Sequence, residues 1–466
     1  MARSGHTGLD RVLPPPPARS PCAHPSPSRG RPVLTSRSQP GPAPWAAPRA
    51  RGPLDAVVPL PGSKSVTNRA LVLAALAAGR STVRRPLRSR DTELMAAGLR
   101  VLGVPVTDTP EGDWQVDGTA GALRPEGGAV DVGNAGTVAR FLPPVAALAQ
   151  GAVLFDGDPR VRERPLGQLL AALRTLGAEL DRVDALPVTV HGRGALRGGE
   201  VVLDASLSSQ LVSGLLLSAP RFDEGAVVRH RGGPLPSAPH LAMTVEALRA
   251  AGAEVDDSAP GVWRVLPGAL RPRDAEVEPD LSTAAAYLAA PLVCGGSVRV
   301  PGWPTATTQP GSVLPELLER MGARTRLDDT GLTVSAGDRL VGLEADLRDA
   351  GELTPVLAAL AALAEGPSRL TGVAHLRVQE TDRLGALAKE LGRLGGDVRE
   401  LPDGLEIRPR PLDAGVLDSY EDHRVAMAWA VLGLGVDGIA VQDVGTTRKT
   451  VPDFPGSWAQ MLGNAR

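Results

Sequence analysis

The 466-residue chain predicts an α/β protein of two similar domains, each built from three copies of one unit of about 72 residues. Three observations lead there. First, an Ala/Leu-rich helix closed by a glycine and followed by a β-branched run recurs six times. The closing glycines are Gly79, Gly151, Gly225, Gly296, Gly366 and Gly438, spaced 72, 74, 71, 70 and 72 residues apart. Second, another signature follows each of them after 24–29 residues: "LRVLGVPV", "LRTLGAEL", "LRAAGAEV", "LERMGART", "LGRLGGDV" and "AQMLGNA", with glycines Gly103, Gly177, Gly252, Gly322, Gly395 and Gly463. Third, glycine after the last apolar residue of a helix is the expected C-terminal cap, and the V/L/T run beyond it reads as a strand. Each unit is therefore strand–helix–strand–helix plus further strand. One unit cannot bury both faces of its helices, so units share cores, and six units fit two domains of three dividing near residue 280.

Before the first unit, residues 1–54 hold 13 prolines, including Pro14–Pro17, and eight arginines against one acid, Asp10. With no apolar period, residues 1–52 predict a disordered Pro/Arg-rich extension. A transit peptide and an over-long start site both fit this leader. The second is favoured, because the same Ala, Arg, Gly and Pro bias runs through the whole chain. The net charge is −2, the leader carries +7, and residues 55–466 are left with about −9, so no nucleic-acid-binding face is expected. No run of about 18 apolar residues escapes a Gly, Pro or charge break, so no membrane span is expected either. Two cysteines, Cys22 and Cys294, make no disulfide framework and suit a reducing, cytoplasmic setting.

The first helix of each unit should begin near "SKSVTNR" (Lys64), "GNAGTVAR" (Asn134), "SLSSQLVS" (Ser208), "PDLSTAAAY" (Asp280), "GELTPVL" (Glu352) and "YEDHRVAM" (Asp422). The second helices should begin near "SRDTELM" (Asp91), "DPRVRERP" (Arg164), "LPSAPHLAM" (Ser237), "TTQPGSVLPEL" (Gln309), "RVQETDRL" (Glu380) and "TTRKTVPDF" (Lys449). Asp91, Thr283 and Gln309 read as ordinary caps. Capping needs no cations, however, and a helix N-terminus already carries partial positive charge. Lys64, Arg69, Arg164, Arg424 and Lys449 in or near first turns therefore point to a bound phosphate or carboxylate among them. Only three lysines occur (Lys64, Lys389, Lys449) and three asparagines, so finding Lys64, Lys449, Asn68 and Asn134 in these clusters suggests chemistry that arginine cannot replace. Carboxylates stand beside the cations. Asp382 and Asp422 read as salt-bridge partners. Glu352, with Arg348 a turn earlier, could serve as a base, and Glu380 could either pair with Arg383 at i+3 or donate a proton.

Taken in order, "PGSKSVTNR", "GNAGTVAR", "RERP", "SSQ", "QETDR", "DHR" and "RKT" resemble the 5-enolpyruvylshikimate-3-phosphate (EPSP) synthase family, in forms from high-GC actinobacteria. The resemblance covers about residues 53–466. It implies two domains, each an inside-out α/β barrel of three βαβαββ repeats, with helix N-termini facing an interdomain cleft. The first strand would join the C-terminal domain, making the crossovers a hinge. Residues 53–63 plus 280–466 would form the phosphoenolpyruvate side with the acid and base, and residues 64–279 the shikimate 3-phosphate side. The implied reaction transfers enolpyruvyl from phosphoenolpyruvate to the 5-hydroxyl of shikimate 3-phosphate and releases phosphate, in chorismate and aromatic amino acid biosynthesis. No metal or cofactor, a monomer, and only small-molecule partners are expected.

By the same resemblance, Lys64, Ser65, Arg69, Ser208, Ser209, Gln210 and Ser237 would contact shikimate 3-phosphate. Lys64, Gly136, Arg164, Gln210, Arg383, Arg424 and Lys449 would contact phosphoenolpyruvate. Glu352 falls on the proton acceptor, where many members have Asp, and Glu380 on the proton donor. His375 and Gln379 fall by the shikimate phosphate where many members have Asn and Lys, and His375 could equally be a packed residue. The chemistry needs one acid, one base and a cationic cradle. Mutual repulsion of the cations implies an open cleft without ligands, and Gly136 in "GNAGT" implies inhibition by glyphosate. Two rivals stand beside this assignment. The sister transferase acting on UDP-N-acetylglucosamine uses a cleft-loop cysteine that neither Cys22 nor Cys294 supplies. A non-catalytic anion-binding protein would not need Glu352 and Glu380.

Overall fold

The computed structural model describes residues 43–125 and 127–463. Its α-helices are α1 (Lys64–Leu76), α2 (Arg90–Val101), α3 (Gly136–Ala146), α4 (Gly167–Thr175), α5 (Gln210–Ser218), α6 (Ala238–Ala250), α7 (Ala284–Cys294), α8 (Leu314–Arg320), α9 (Thr354–Leu363), α10 (Arg383–Arg393), α11 (His423–Gly435) and α12 (Phe454–Met461). All twelve punctuating glycines have φ between +64° and +143°. A side chain in the left-handed region costs about 1–2 kcal/mol, so the period read from sequence is a backbone requirement repeated in every unit.

The strands form six small sheets. In the second, Ala129–Asp131 runs parallel to Gln150–Asp156, which runs antiparallel to Val188–Arg193, and Glu179–Leu180 closes the edge. The first and fourth sheets exchange strands. Leu54–Val57 lies parallel to Gly296–Val300, while Ala275–Glu276 completes the sheet of Ala78–Arg84. The chain thus crosses twice at one place. There Gly62 bridges Pro279, Ser63 N donates to Glu278 O at 2.8 Å, and Asp280 N donates to Pro61 O at 3.0 Å.

The sixth sheet pairs Gly415–Asp418 with Ile439–Gln442, and Trp45–Ala46 adds antiparallel at its edge, Trp45 opposite Val441. This corrects the expectation of a disordered 1–52 for its last residues. The Trp45 ring meets Phe454 edge-on at 6.1 Å, and Phe454 lies 5.3 Å from Trp458 and 5.8 Å from Tyr287. Such pairs contribute about 0.5–1.5 kcal/mol each beyond their buried area. The rest of the leader, with Cys22, lies outside the described residues.

The buried apolar side chains fall into two separate cores. One draws on residues 71–277, the other on 54–60 together with 281–462. Helices α3 and α11 are buried nearly all round, as helices without a polar face must be. Among the described residues no helix is long and apolar enough to cross a membrane.

Candidate active site

A single cleft is lined from the starts of ten helices: Ser63, Lys64 and Ser65 at α1, Gly136 and Thr137 at α3, Arg164 ahead of α4, Gln210 at α5, Ser237 and His240 at α6, Asp280 and Ser282 ahead of α7, Gln309 ahead of α8, Glu352 ahead of α9, Gln379, Glu380 and Arg383 at α10, and His423 and Arg424 at α11. Asp91 at α2 and Lys449 ahead of α12 stand beside it, joined by their charges to its wall. Every helix dipole of the repeat therefore brings its positive end to this region.

The cations are held by a short chain of contacts. Lys64 Nζ lies 3.4 Å from Asp91 Oδ2, and Lys449 Nζ lies 3.7 Å from the same oxygen, 2.9 Å from Glu380 Oε1 and 3.2 Å from the Asn134 carbonyl. Arg383 donates to Asp422 Oδ2 at 2.8 Å and to Glu380 Oε2 at 3.1 Å. Asp422 also accepts the Arg424 backbone N–H at 2.9 Å, so it caps α11 and pairs with Arg383 at once. Asp382 caps α10 and pairs with Arg377 rather than Arg383. Glu380 pairs with Arg383, one of the two readings of its position, and it also lines the cleft.

Four arginines here are buried without a carboxylate partner among the described residues: Arg69 (1% exposed), Arg140 (3%), Arg164 (6%) and Arg424 (8%). Arg164 donates to the carbonyl and side-chain oxygens of Asn134, at 2.9 and 3.2 Å. Arg140 donates to Gly136 O and Gln210 Oε1, each at 3.2 Å. Neutral acceptors satisfy hydrogen bonds but leave positive charge uncompensated, which is costly away from water. The cleft is electrostatically incomplete without anions.

Protonation follows from the same geometry. Burial works against ionised Glu380, yet Lys449, Arg164, Arg383 and Lys64 outweigh it and hold its carboxyl well below the usual range. Glu352 is also lowered: burial opposes ionisation, and His240, Arg424 and His375 overcome it. Burial pulls the Lys64 ammonium down, against the pull of Asp91, and lowers His240, His375 and, most strongly, His423. Both ring nitrogens of His423 are buried without a hydrogen-bond partner.

Of the residues expected from sequence, Lys64, Ser65, Gly136, Arg164, Gln210, Ser237, Glu352, His375, Gln379, Glu380, Arg383 and Arg424 line the cleft together. Lys449 reaches it through Glu380. Ser208 and Ser209 are buried in the turn before α5, behind Gln210 in the chain. Arg69 does not line the wall. It donates to Thr244 Oγ1 at 2.8 Å, His240 O at 2.9 Å, Ser65 O at 3.0 Å and Ser213 Oγ at 3.4 Å, tying α1 to α5 and α6.

The expected open cleft is corrected. Ser237 N donates to Arg348 O at 3.0 Å, Arg160 Nε to Glu380 O at 3.2 Å, Thr308 Oγ1 to Glu246 Oε2 at 2.8 Å, and Lys449 reaches Asn134, so the two cores are drawn together. Asp91 and Glu380 stand between Lys64, Lys449 and Arg383 and offset the repulsion among those three.

Sequence reasoning missed Asp91 as an ion partner, Arg140, His240, Asp280 and His423. Arg140 had a signal, lying four residues after Gly136 and so on its helix face. Asp280 caps α7 through Thr283 N at 2.9 Å and also accepts Lys64 N at 3.4 Å. His423 stood unweighed inside "DHR". His240 carried no signal, since its partner Glu352 is remote in sequence.

Cys294 closes α7 at the end away from the cleft, about 16 Å from the helix start at 1.5 Å per residue. Burial pushes its thiol up to about 11. It is no candidate for a cleft acid.

The fold and cleft are those of an enolpyruvyl transferase. EPSP synthase of Acinetobacter baumannii, in a 2.37 Å structure, matches at a TM-score of 0.74 and 26% identity over 91% of this chain and 98% of that one. A second structure of EPSP synthase from that organism matches at 0.73 and 24%, again over 91% and 98%. The enolpyruvyl transferase NikO from Streptomyces tendae shares the fold at 0.71, with 20% identity over 89% and 96%. The family model described as EPSP synthase (3-phosphoshikimate 1-carboxyvinyltransferase) matches residues 48–458, and the chain belongs to that family. It is a transferase of the shikimate pathway that moves an enolpyruvyl group, and the family's substrates are phosphoenolpyruvate and shikimate 3-phosphate.

Proposed function

We propose that the cleft performs this transfer by addition and elimination without a covalent enzyme intermediate, with Glu352 as base and Glu380 as acid. Glu380 protonates C3 of phosphoenolpyruvate, Glu352 takes the proton of the 5-hydroxyl, and the oxygen attacks the cation-like C2. Removal of a proton from C3 of the resulting tetrahedral adduct, with loss of phosphate from C2, restores the carbon–carbon double bond and completes the reaction. The observation that carries this is the set of four buried arginines without a carboxylate partner around a cleft that also holds Glu352 and Glu380. Uncompensated charge of that size calls for substrates with several negative charges.

In this arrangement Lys64, Ser65, Gln210 and Ser237 hold shikimate 3-phosphate, with His375 and Gln379 near its phosphate and Ser208 and Ser209 shaping the turn before Gln210. Gly136, Arg164, Arg383, Arg424 and Lys449 hold phosphoenolpyruvate, shared with Lys64 and Gln210. Arg69 braces the helix starts and lends its charge. Each charge-assisted bond to an anion contributes about 1.5–3 kcal/mol, several-fold more than a single helix dipole.

The two cores act as two domains, residues 64–279 and residues 53–63 plus 280–466, hinged where the crossovers lie side by side. Closure expels water and strengthens the charges inside. The enzyme works as a cytoplasmic monomer, binds neither nucleic acid nor membranes, and is inhibited by micromolar glyphosate.

Phosphate release from phosphoenolpyruvate, measured with and without shikimate 3-phosphate, tests the assignment. Release should depend on the acceptor; release indifferent to it would refute the proposal.

A further inference from the structure

Glu352 sits in a single 3-10 turn, Gly351–Leu353, between two histidines. His240 Nε2 lies 3.5 Å from Glu352 Oε1, and a Cβ on Gly351 would lie 2.7 Å from His375 Nε2, so the second ring rests on the turn that carries the carboxylate. Glu352 Oε2 is buried and has no hydrogen-bond partner among the described residues. One oxygen thus faces an imidazole and the other is free for a substrate hydroxyl. Both histidines are buried, at 8% and 6% exposure. His240 comes from α6 and Glu352 from ahead of α9, so the contact spans the two cores.

Taking Glu352 as the base, as proposed above, we infer that His240 is its positioning residue and the next station for the proton it removes. The substrate O–H bond breaks, its electron pair forms the new C–O bond, and the proton goes to Glu352. From Glu352 it passes to Nε2 of neutral His240, whose own proton then sits on Nδ1, which leaves the carboxylate ionised and an imidazolium beside it. The imidazolium then gives the proton to solvent when the cleft opens. A carboxylate is a weak acceptor on its own, and a neutral imidazole alongside supplies the missing basicity.

His240 must be neutral to accept. The groups facing it are Glu352, which favours its charged form, Arg69 and Arg424, which oppose it, and Asp280, which favours it; burial outweighs them all and lowers its pKa. His375, packed against the Gly351 turn, faces Glu352, Arg383 and Asp349 and is also lowered.

The test compares unmodified enzyme, His240→Gln and Glu352→Gln between pH 5 and 9. Gln keeps an N–H of similar reach but cannot take a proton. The unmodified enzyme should lose kcat on an acidic limb that lies under 6.5, the ordinary value, because burial lowers His240. His240→Gln should lose kcat by about 10–100-fold near pH 7.5, lack that acidic limb, and keep both KM values within about threefold. An unchanged limb, or kcat within twofold of the unmodified enzyme, would overturn the inference. If Glu352→Gln keeps its turnover, the base assignment itself fails. If that variant is inactive while His240→Gln behaves normally, only the relay fails. Imidazole 15N resonances of the unmodified enzyme give a readout free of folding effects: His240 neutral at pH 7 supports the relay, and His240 charged at pH 7 overturns it.

Discussion

Lys449 Nζ lies 2.9 Å from Glu380 Oε1 and 3.7 Å from Asp91 Oδ2, so one ammonium near the end of the chain joins an acid from each core. This contact makes the proposed acid an anion at rest. A carboxylate that must deliver a proton is held ionised by the cations meant for the substrate.

Phosphoenolpyruvate therefore has to change Glu380 as it binds. Its phosphate and carboxylate would share Lys449, Arg164, Arg383 and Lys64, the cations that hold the Glu380 proton off. With that field divided, burial prevails and the pKa rises. Calorimetry of phosphoenolpyruvate binding to the shikimate 3-phosphate complex, in buffers of different ionisation enthalpy, should show uptake approaching about one proton per site near pH 7. No buffer dependence would contradict the coupling.

Gly136 leaves the least room on the proposed phosphoenolpyruvate side. A Cβ there would lie 2.6 Å from Arg140 Nη1, 2.7 Å from Arg164 Nη2 and 3.1 Å from Gln210 Oε1. In Gly136→Ala these side chains must shift, so the KM for phosphoenolpyruvate should rise at least about tenfold, or roughly 1.4 kcal/mol. Shikimate 3-phosphate binding, measured directly, should change much less. Equal losses for both substrates would place the damage in the fold.

Acid should loosen the protein before its carboxylates titrate. His423 is buried with both nitrogens unpartnered, and its folded-state pKa lies well below the unfolded value of 6.5. The unfolded chain thus takes up a proton that the folded one refuses. Stability is full above 6.5 and is lost as the pH falls through 6.5 toward the folded value, with His240 and His375 adding in the same direction. Urea midpoints should drop between pH 7 and pH 5, and His423→Leu should flatten that drop. An equal slope in the variant would contradict it.

Trp45 tests the described end of the leader. Removing its ring from the edge of Phe454 in Trp45→Ala should cost about 1–3 kcal/mol, read from urea unfolding, with kcat unchanged because the contact is far from the cleft wall. A neutral substitution would show that the strand Trp45–Ala46 contributes nothing.

The repeat and most of the cleft were legible because they rest on local rules. Each of the twelve glycines marks a left-handed residue after a helix, and each helix begins within about five residues of its polar cluster. What stayed hidden depends on partners distant in the chain. Asp91 looked like a cap because Lys64 and Lys449 meet it only after folding. The His240–Glu352 contact joins two cores and has no local pattern. Arg69 looked like a ligand-facing cation, and the four hydrogen bonds that tie it to α1, α5 and α6 have no local signal. Trp45 sat in a segment whose proline content masked a two-residue strand completed by residues near the other end.

The central claim is that the cation-rich cleft turns Glu380 from a resting anion into the acid of the reaction. Glu380→Gln tests it most directly, by equilibrium binding of phosphoenolpyruvate alongside steady-state phosphate release. Removing a carboxylate that competes for Lys449 and Arg383 should leave binding equal or tighter, while turnover falls by about 10²–10⁴-fold. Turnover within a few-fold of the unmodified enzyme, with phosphoenolpyruvate bound, would contradict it.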